Sequence, residues 1–398
     1  METQSNSATK KSFARFCISP IFKKAILFTL LAGFLVMNSA SQICNYKHRK
    51  LITFDPTKVS GVSDLTNYPA LINISSDNDL RTLANGGFVE NANGYDIIFT
   101  SADGVTQLDH QVEKYTATTG ELVTYVRIPT LSTSVNTNIY MYYGRSGAVT
   151  DPSVATTWDA NYKGSWFFHN DHNDKGTKGN HGTNNGTTFT GAKVAGGINY
   201  GTTTTRYVQV GTTGLNTTSG TIELWGNPAS FLASETYYFG HTTLPSYNNR
   251  IQIYNIQNGG GVQKLRLGLG NSHNVSGDIM TMVAGTWYHI MLTWSSGTYF
   301  VYVNGAQVAT GAYAGLGTLH PFADIGNDGN PGQQTEALRG IIDEVRVSNI
   351  ARSSDYHITT YNNQNSPSTF YTVSGAPYRW LGGTSTNWGT PANWQGGI

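Results

Sequence analysis

Three kinds of side chain in this sequence could do chemistry. Carboxylates come first. Asp343 and Glu344 are adjacent inside the run Gly-Ile-Ile-Asp-Glu-Val-Arg-Val at 340–347, Asp171 and Asp174 stand beside Asn170, and Glu223 is alone in its segment. Two carboxyls about 5 Å apart can cleave a glycosidic bond with retention. Neighbours on a strand point to opposite faces, however, so Asp343 and Glu344 are not expected to meet over one ligand. Histidines come second. His169 and His172 are three apart, with His181 nearby. That spacing suits zinc on a helix, but the stretch is Gly- and Asn-rich without helical period, so solvated loop histidines are expected. Aromatic rings come third. Trp225, Tyr237, Tyr238, Tyr254 and Tyr313, with the loops 246–250 and 327–331 that carry Asn327 and Asp328, could pack on the C–H faces of sugars while amides and carboxylates take the hydroxyls. Each ring serves equally as core or as a cross-strand pair. No Gly-x-Ser-x-Gly and no cysteine in a nucleophilic setting occurs, so no catalytic residue is assigned.

The elements that must position these groups are strands. Charged residues are 12% of 398, Gly numbers 45 and Tyr 23. Few Lys and Glu, many Thr and Tyr, and frequent Gly favour strands joined by tight turns. A net charge of +1 argues against nucleic acid as a partner. At the N-terminus Lys23 and Lys24 precede an apolar run, 25–37, and then Ser39, Ala40 and Ser41. This is the order of a secretory signal peptide, and the run is shorter than the roughly 20 residues a membrane span needs. We expect cleavage near Ala40 or Ser41, a mature chain without a membrane span, and a secreted or cell-surface location. Cleavage removes Cys17 and leaves Cys44 alone, which excludes an internal disulfide.

Short β-type runs fill 51–144, separated by turn signals at Asn93-Gly94, Asp103-Gly104 and Thr119-Gly120. They predict an all-β sandwich over 42–150. A second series, from Trp158 to Tyr361, predicts a two-sheet jelly roll, with Asn304-Gly305 as a two-residue hairpin turn. A polar linker over 362–377 and the start of a further β-rich module over 378–398, with Trp380, Trp388 and Trp394, complete the expected order.

Two resemblances sharpen this reading. The words HRKLITFDPTKVSG, LTNYPALINISSDNDL, DIIFTSADGVTQLDHQVEKY, TGELVTYVRIPTLS and NIYMYYG resemble DUF2341, a family of unknown function found beside other extracellular modules. WYHIMLTWSSGTYFVYVNGAQVATG, DIGNDG, DKGTKGNHGTNNG and GIIDEVRVSNIARSSDY resemble laminin-G-like, concanavalin A-like jelly rolls. The chain is therefore expected to be all-β, an N-terminal β-sandwich followed by a concanavalin A-like jelly-roll sandwich, in a secreted multidomain protein of bacterial type.

The second resemblance implies a role in recognition. In related jelly rolls a carboxylate of the final strand often joins the opening loop in holding a structural calcium. Asp343 matches that carboxylate, with Asp174, Asp171 and Asn170 as the opening-loop candidates. The Glu-x-Asp-x-x-Glu word of glycosidases on this fold is missing. We therefore expect non-catalytic binding of a polysaccharide or cell-surface glycan, with Trp225, Tyr238, Tyr254, Asn327 and Asp328 as candidate ligand contacts. A surface protein as partner, or service as the accessory region of a glycoside hydrolase, are the alternatives.

Overall fold

The computed structural model describes residues 43, 45–375, 378–379 and 391–394. The expected signal peptide, its cleavage site, both cysteines and most of the last module lie outside them.

The first module contains β1 (His48–Phe54), β2 (Leu65–Ile74), β3 (Ile98–Ser101), β4 (Gln107–Leu108), β5 (His110–Thr116), β6 (Glu121–Leu131) and β7 (Thr137–Tyr143). The second adds β8 (Tyr162–Trp166), β9 (Thr183–Asn185), β10 (Thr188–Thr190), β11 (Gly197–Asn199), β12 (Tyr207–Gly211), β13 (Ser219–Pro228), β14 (Thr236–Gly240), β15 (Arg250–Gln257), β16 (Gln263–Gly270), β17 (Met280–Thr281), β18 (Tyr288–Ser295), β19 (Thr298–Val303), β20 (Ala306–Ala312), β21 (Phe322–Ile325) and β22 (Gly340–Ser348). A last strand, β23 (Tyr371–Val373), returns to the first module and pairs antiparallel with β1.

Four antiparallel sheets result. Sheet β23-β1-β7-β3-β4 faces sheet β2-β6-β5 in the first module. Sheet β10-β11-β22-β13-β18-β19-β20, with β8 on β22, faces sheet β17-β16-β15-β14-β21-β12-β9 in the jelly roll. The jelly-roll core is Ile222, Leu224, Ile290, Leu292 and Val345 from one sheet, with Phe239, Ile251, Ile253, Leu267 and Ile325 from the other. The expected hairpin turn forms between β19 and β20: Asn304 and Gly305 both have positive φ, 51° and 81°, as a two-residue turn of this hand requires.

Residues 362–373 of the expected linker form a helix end, a short helical turn and a strand. Ser353 accepts the Tyr356 N–H and starts a helix over Ser354–Asn365. Asn363 of that helix accepts the Leu71 N–H at 2.7 Å and donates to the Leu71 carbonyl at 3.0 Å. The Tyr371 hydroxyl does the same for Asn73. Both side chains satisfy the otherwise open edge of β2. The helix is polar on all sides and carries no apolar stripe, so its sequence reads as a linker.

The two modules share a core. Ala70, Leu71 and Ile72 are buried in succession on β2, as are Leu122 to Val126 on β6, so this sheet is covered on both faces. One apolar cluster joins these residues to Trp158, Phe167, Met291, Tyr302, Phe370 and Tyr371. Phe370 is fully buried and meets Phe54 edge-on at 6.1 Å. Phe370→Ala should cost about 3–5 kcal/mol. In urea denaturation we expect both modules to unfold in one transition with a lowered midpoint, whereas two independent transitions would contradict the shared core.

Candidate functional site

A two-sheet jelly roll offers two outer faces. Here the outer face of the β13–β22 sheet is covered by the first module and the returning helix. At its centre Arg346 is buried, 3.1 Å from Glu223 and paired with Glu344. Its guanidinium lies over the rings of Tyr125 (4.8 Å) and Trp158 (5.0 Å). Burial would raise the Glu223 carboxyl, but hydrogen bonding from His289 and the charge of Arg346 outweigh it and hold the group at about 2.

The adjacent acids on β22 do not obey strand alternation. Glu344 has φ 54°, and two residues of β22, Glu344 and Val345, oppose one of β13, Leu224, between the pairs Trp225–Asp343 and Glu223–Arg346. This bulge turns Asp343 and Glu344 to the same side while Ile342 and Val345 both point into the core. Glu344 accepts the Tyr125 hydroxyl at 2.6 Å, tying β22 to the first module.

The calcium ligands expected from sequence are not brought together. Asp343 is buried, and its Oδ2 accepts the Val194 N–H. Asp174 accepts the N–H groups of Ser165, Gly176 and Asn180. Because Lys175 N–H also donates to the Ser165 carbonyl, Asp174 lies along the edge of β8 turned away from β22. Asp171 pairs with Lys175, and Asn170 lines a separate polar hollow with Glu113 and Tyr115. No group of three or more His, Cys, Asp or Glu arranged to hold a metal occurs among the described residues.

Most expected sugar contacts are also structural. Trp225 is buried under the returning helix; its Nε1 donates to Gln364, and its ring stacks on Tyr361. Tyr238 is in the jelly-roll core. Asn327 is buried, donating to the carbonyls of Thr204 and Arg206 and accepting the Asp328 and Glu336 N–H groups. These bonds shape the loop 326–338. Its backbone crosses Gly240, where a Cβ would come within 2.2 Å of the Asn327 carbonyl oxygen.

Tyr254 and Asp328 do flank an open site, on the outer face of the other sheet. A cleft of about 310 Å³ there is lined by Glu235, Tyr237, Tyr247, Arg250, Gln252, His273, Asn330 and Glu336. Tyr237, Tyr254 and His273 form a ring stack with centroids 5.0 Å apart at each step. Glu235 accepts the Tyr237 hydroxyl and lies 3.0 Å from His273 Nε2. Tyr247, on the loop between β14 and β15, is 39% exposed and stands beside the Arg250 guanidinium. Asp328 reaches the cleft through Asn330, whose N–H and side-chain amide it accepts.

The carboxyls of this region are pushed apart. Burial raises Glu235, but hydrogen bonds from His273 and Tyr237 outweigh it and leave the group below the usual range. Burial, then the charges of Glu235 and Asp328, raise Glu336 to about 7. Burial raises Asp328 to about 6 and Asp324 to about 7. The residues come from four separated segments and share no motif; Tyr237, Tyr254, Asp328 and the two flanking loops were the pointers legible in the sequence.

Folding keeps these three acids protonated beyond their unfolded range. Their stabilising effect is complete below roughly pH 4 and is lost as pH rises through about 6 to 7. Glu336→Gln should therefore melt like the parent near pH 4 and higher than the parent at about pH 8. Equal melting curves at both values would show that Glu336 is not strained by its surroundings.

A family model described as concanavalin A-like lectin/glucanases superfamily, Laminin_G_3, matches residues 202–356, and the model of DUF2341, a domain of unknown function, matches 93–181. No curated protein matches the chain. Among solved structures, domain 4 of AbnA, a GH43 extracellular arabinanase from Geobacillus stearothermophilus in complex with arabinotriose, is 18% identical with a TM-score of 0.42, over 51% of this chain and 98% of that one. The binding domain of Paraclostridial Mosquitocidal Protein 1 is 13% identical (TM-score 0.37), over 50% of this chain and 52% of that one. The botulinum neurotoxin type G receptor-binding domain is 12% identical (TM-score 0.35), over 52% of each. The chain thus spans about half the length of either toxin domain. The two family models thus match in the order expected from the sequence, DUF2341 and then the concanavalin A-like Laminin_G_3.

Proposed function

We propose that this chain is a secreted recognition protein that binds carbohydrate, without cleaving it, in the cleft beside β14 and β15. One observation carries the reading. The jelly roll has one outer face left open, and on that face a half-exposed tyrosine, the exposed ring of His273, an arginine and several carboxyl and amide groups converge on one concavity. Rings take the apolar faces of a sugar, and the fixed polar groups select among its hydroxyls. Export is supported by the charged, apolar and small-residue order of 23–41.

A glycan array probed with the full chain tests this. We expect a defined family of hits, and Tyr247→Ala should weaken them about tenfold, roughly 1.4 kcal/mol. A blank array would move the reading to protein adhesion.

Cleavage is the second reading, favoured by the opposite shifts of Glu235 and Glu336 within one cleft, the pattern that separates an acid from a base. Incubation with the array hits, followed by an assay for new reducing ends, separates the two. We expect none; steady release that Glu336→Gln abolishes would establish a hydrolase instead.

A further inference from the structure

The hydrogen-bonding balance of the cleft specifies its ligand further, taking the carbohydrate reading as its basis. Several donors around the cleft are already engaged. The Tyr237 hydroxyl donates to Glu235, the Tyr247 hydroxyl to Gln333, Arg250 Nη1 to the Asn271 carbonyl and Gln252 Nε2 to the Asp328 carbonyl. Two amide acceptors are not. Gln252 lines the cleft, is 3% exposed, and its Oε1 has no donor among the described residues. Asn330 Oδ1 is in the same position. An unpaired buried acceptor costs about 1–3 kcal/mol, so each favours a ligand that brings a donor.

Charge points the same way. Glu235 and Glu336 both line the cleft and Asp328 stands behind Asn330, against one guanidinium, Arg250. The crowding of negative charge around Glu336 is what lifts its carboxyl beyond burial alone. An uncharged sugar hydroxyl supplies one donor and no charge. A primary ammonium supplies three donors and a compact positive charge, and so meets carboxylate and amide oxygens at once.

We infer that the cleft takes an amine-bearing glycan, with the free ammonium of a hexosamine held on the cleft wall that carries Glu336, Gln252 and Asn330. N-acetylation of that amine removes the charge and two of its donors and adds bulk. The free and the acetylated sugar should therefore be told apart by the cleft.

Titration calorimetry of the full chain near neutral pH with a β-1,4-linked glucosamine tetramer, its fully N-acetylated form, a glucose tetramer and tetralysine tests this. We expect the glucosamine tetramer to bind at least tenfold more tightly than either neutral sugar and than tetralysine. In Glu336→Gln that preference should fall to within about threefold. Gln252→Leu, which keeps all charges, should also reduce it. Equal binding of the three sugars, or a preference untouched by both variants, would overturn the inference while leaving carbohydrate recognition intact. If tetralysine alone bound, both the inference and the carbohydrate reading would fall.

Discussion

A buried guanidinium organises this protein. Arg346 has lost its water, and an ion desolvated in this way costs several kcal/mol unless its surroundings replace that water. Here the replacement comes from both modules. Glu223 and Glu344 supply charge from the jelly roll, and Tyr125 and Trp158 supply ring faces from the first sandwich and the connecting segment. Removing any partner strands the rest, so the modules cannot separate without exposing an unpaired charge or apolar rings. The polar groups also restrict which surfaces fit. A sliding displacement of one sheet on the other would take Tyr125 away from Glu344 and both rings away from Arg346.

This constraint decides where a ligand can bind. Trp225, His289 and Tyr302 would form an aromatic surface on an isolated jelly roll. In the chain they pack against Tyr361 and His357 of the returning helix. Burial, followed by the neighbouring His289, pushes His357 well below the usual imidazole range, so the contact is made by a neutral ring. The opposite sheet keeps its outer face, where the loops 241–249 and 326–338 raise walls around the stack of Tyr237, Tyr254 and His273.

Much of the fold was legible in the sequence because strands and turns are local. Runs such as Glu121–Leu131 and Tyr288–Ser295, and the turn at Asn304-Gly305, carry their own signals. Three features were not legible. The bulge at Glu344 reverses the rule that neighbours face apart, and nothing in the residue types announces a positive φ there. The helix Ser354–Asn365 has no apolar stripe because it buries Asn363 and Gln364 against polar partners and His357 against rings. The cleft was only partly visible because Glu235, Arg250, His273 and Glu336 are joined by sheet pairing across a hundred residues. Trp225 and Tyr238 were misplaced for a related reason: an outward or inward position on a strand says nothing about what later covers it.

The pairing of β23 with β1 has a mechanical meaning. Phe54 lies opposite Tyr371 and, beyond β23, Arg379 lies opposite His48, so the chain runs back along the whole length of β1 after the jelly roll. The whole jelly roll is a loop inserted between β7 and β23. Tension applied along the chain at His48 and Arg379 would open the β1–β23 seam one hydrogen bond at a time.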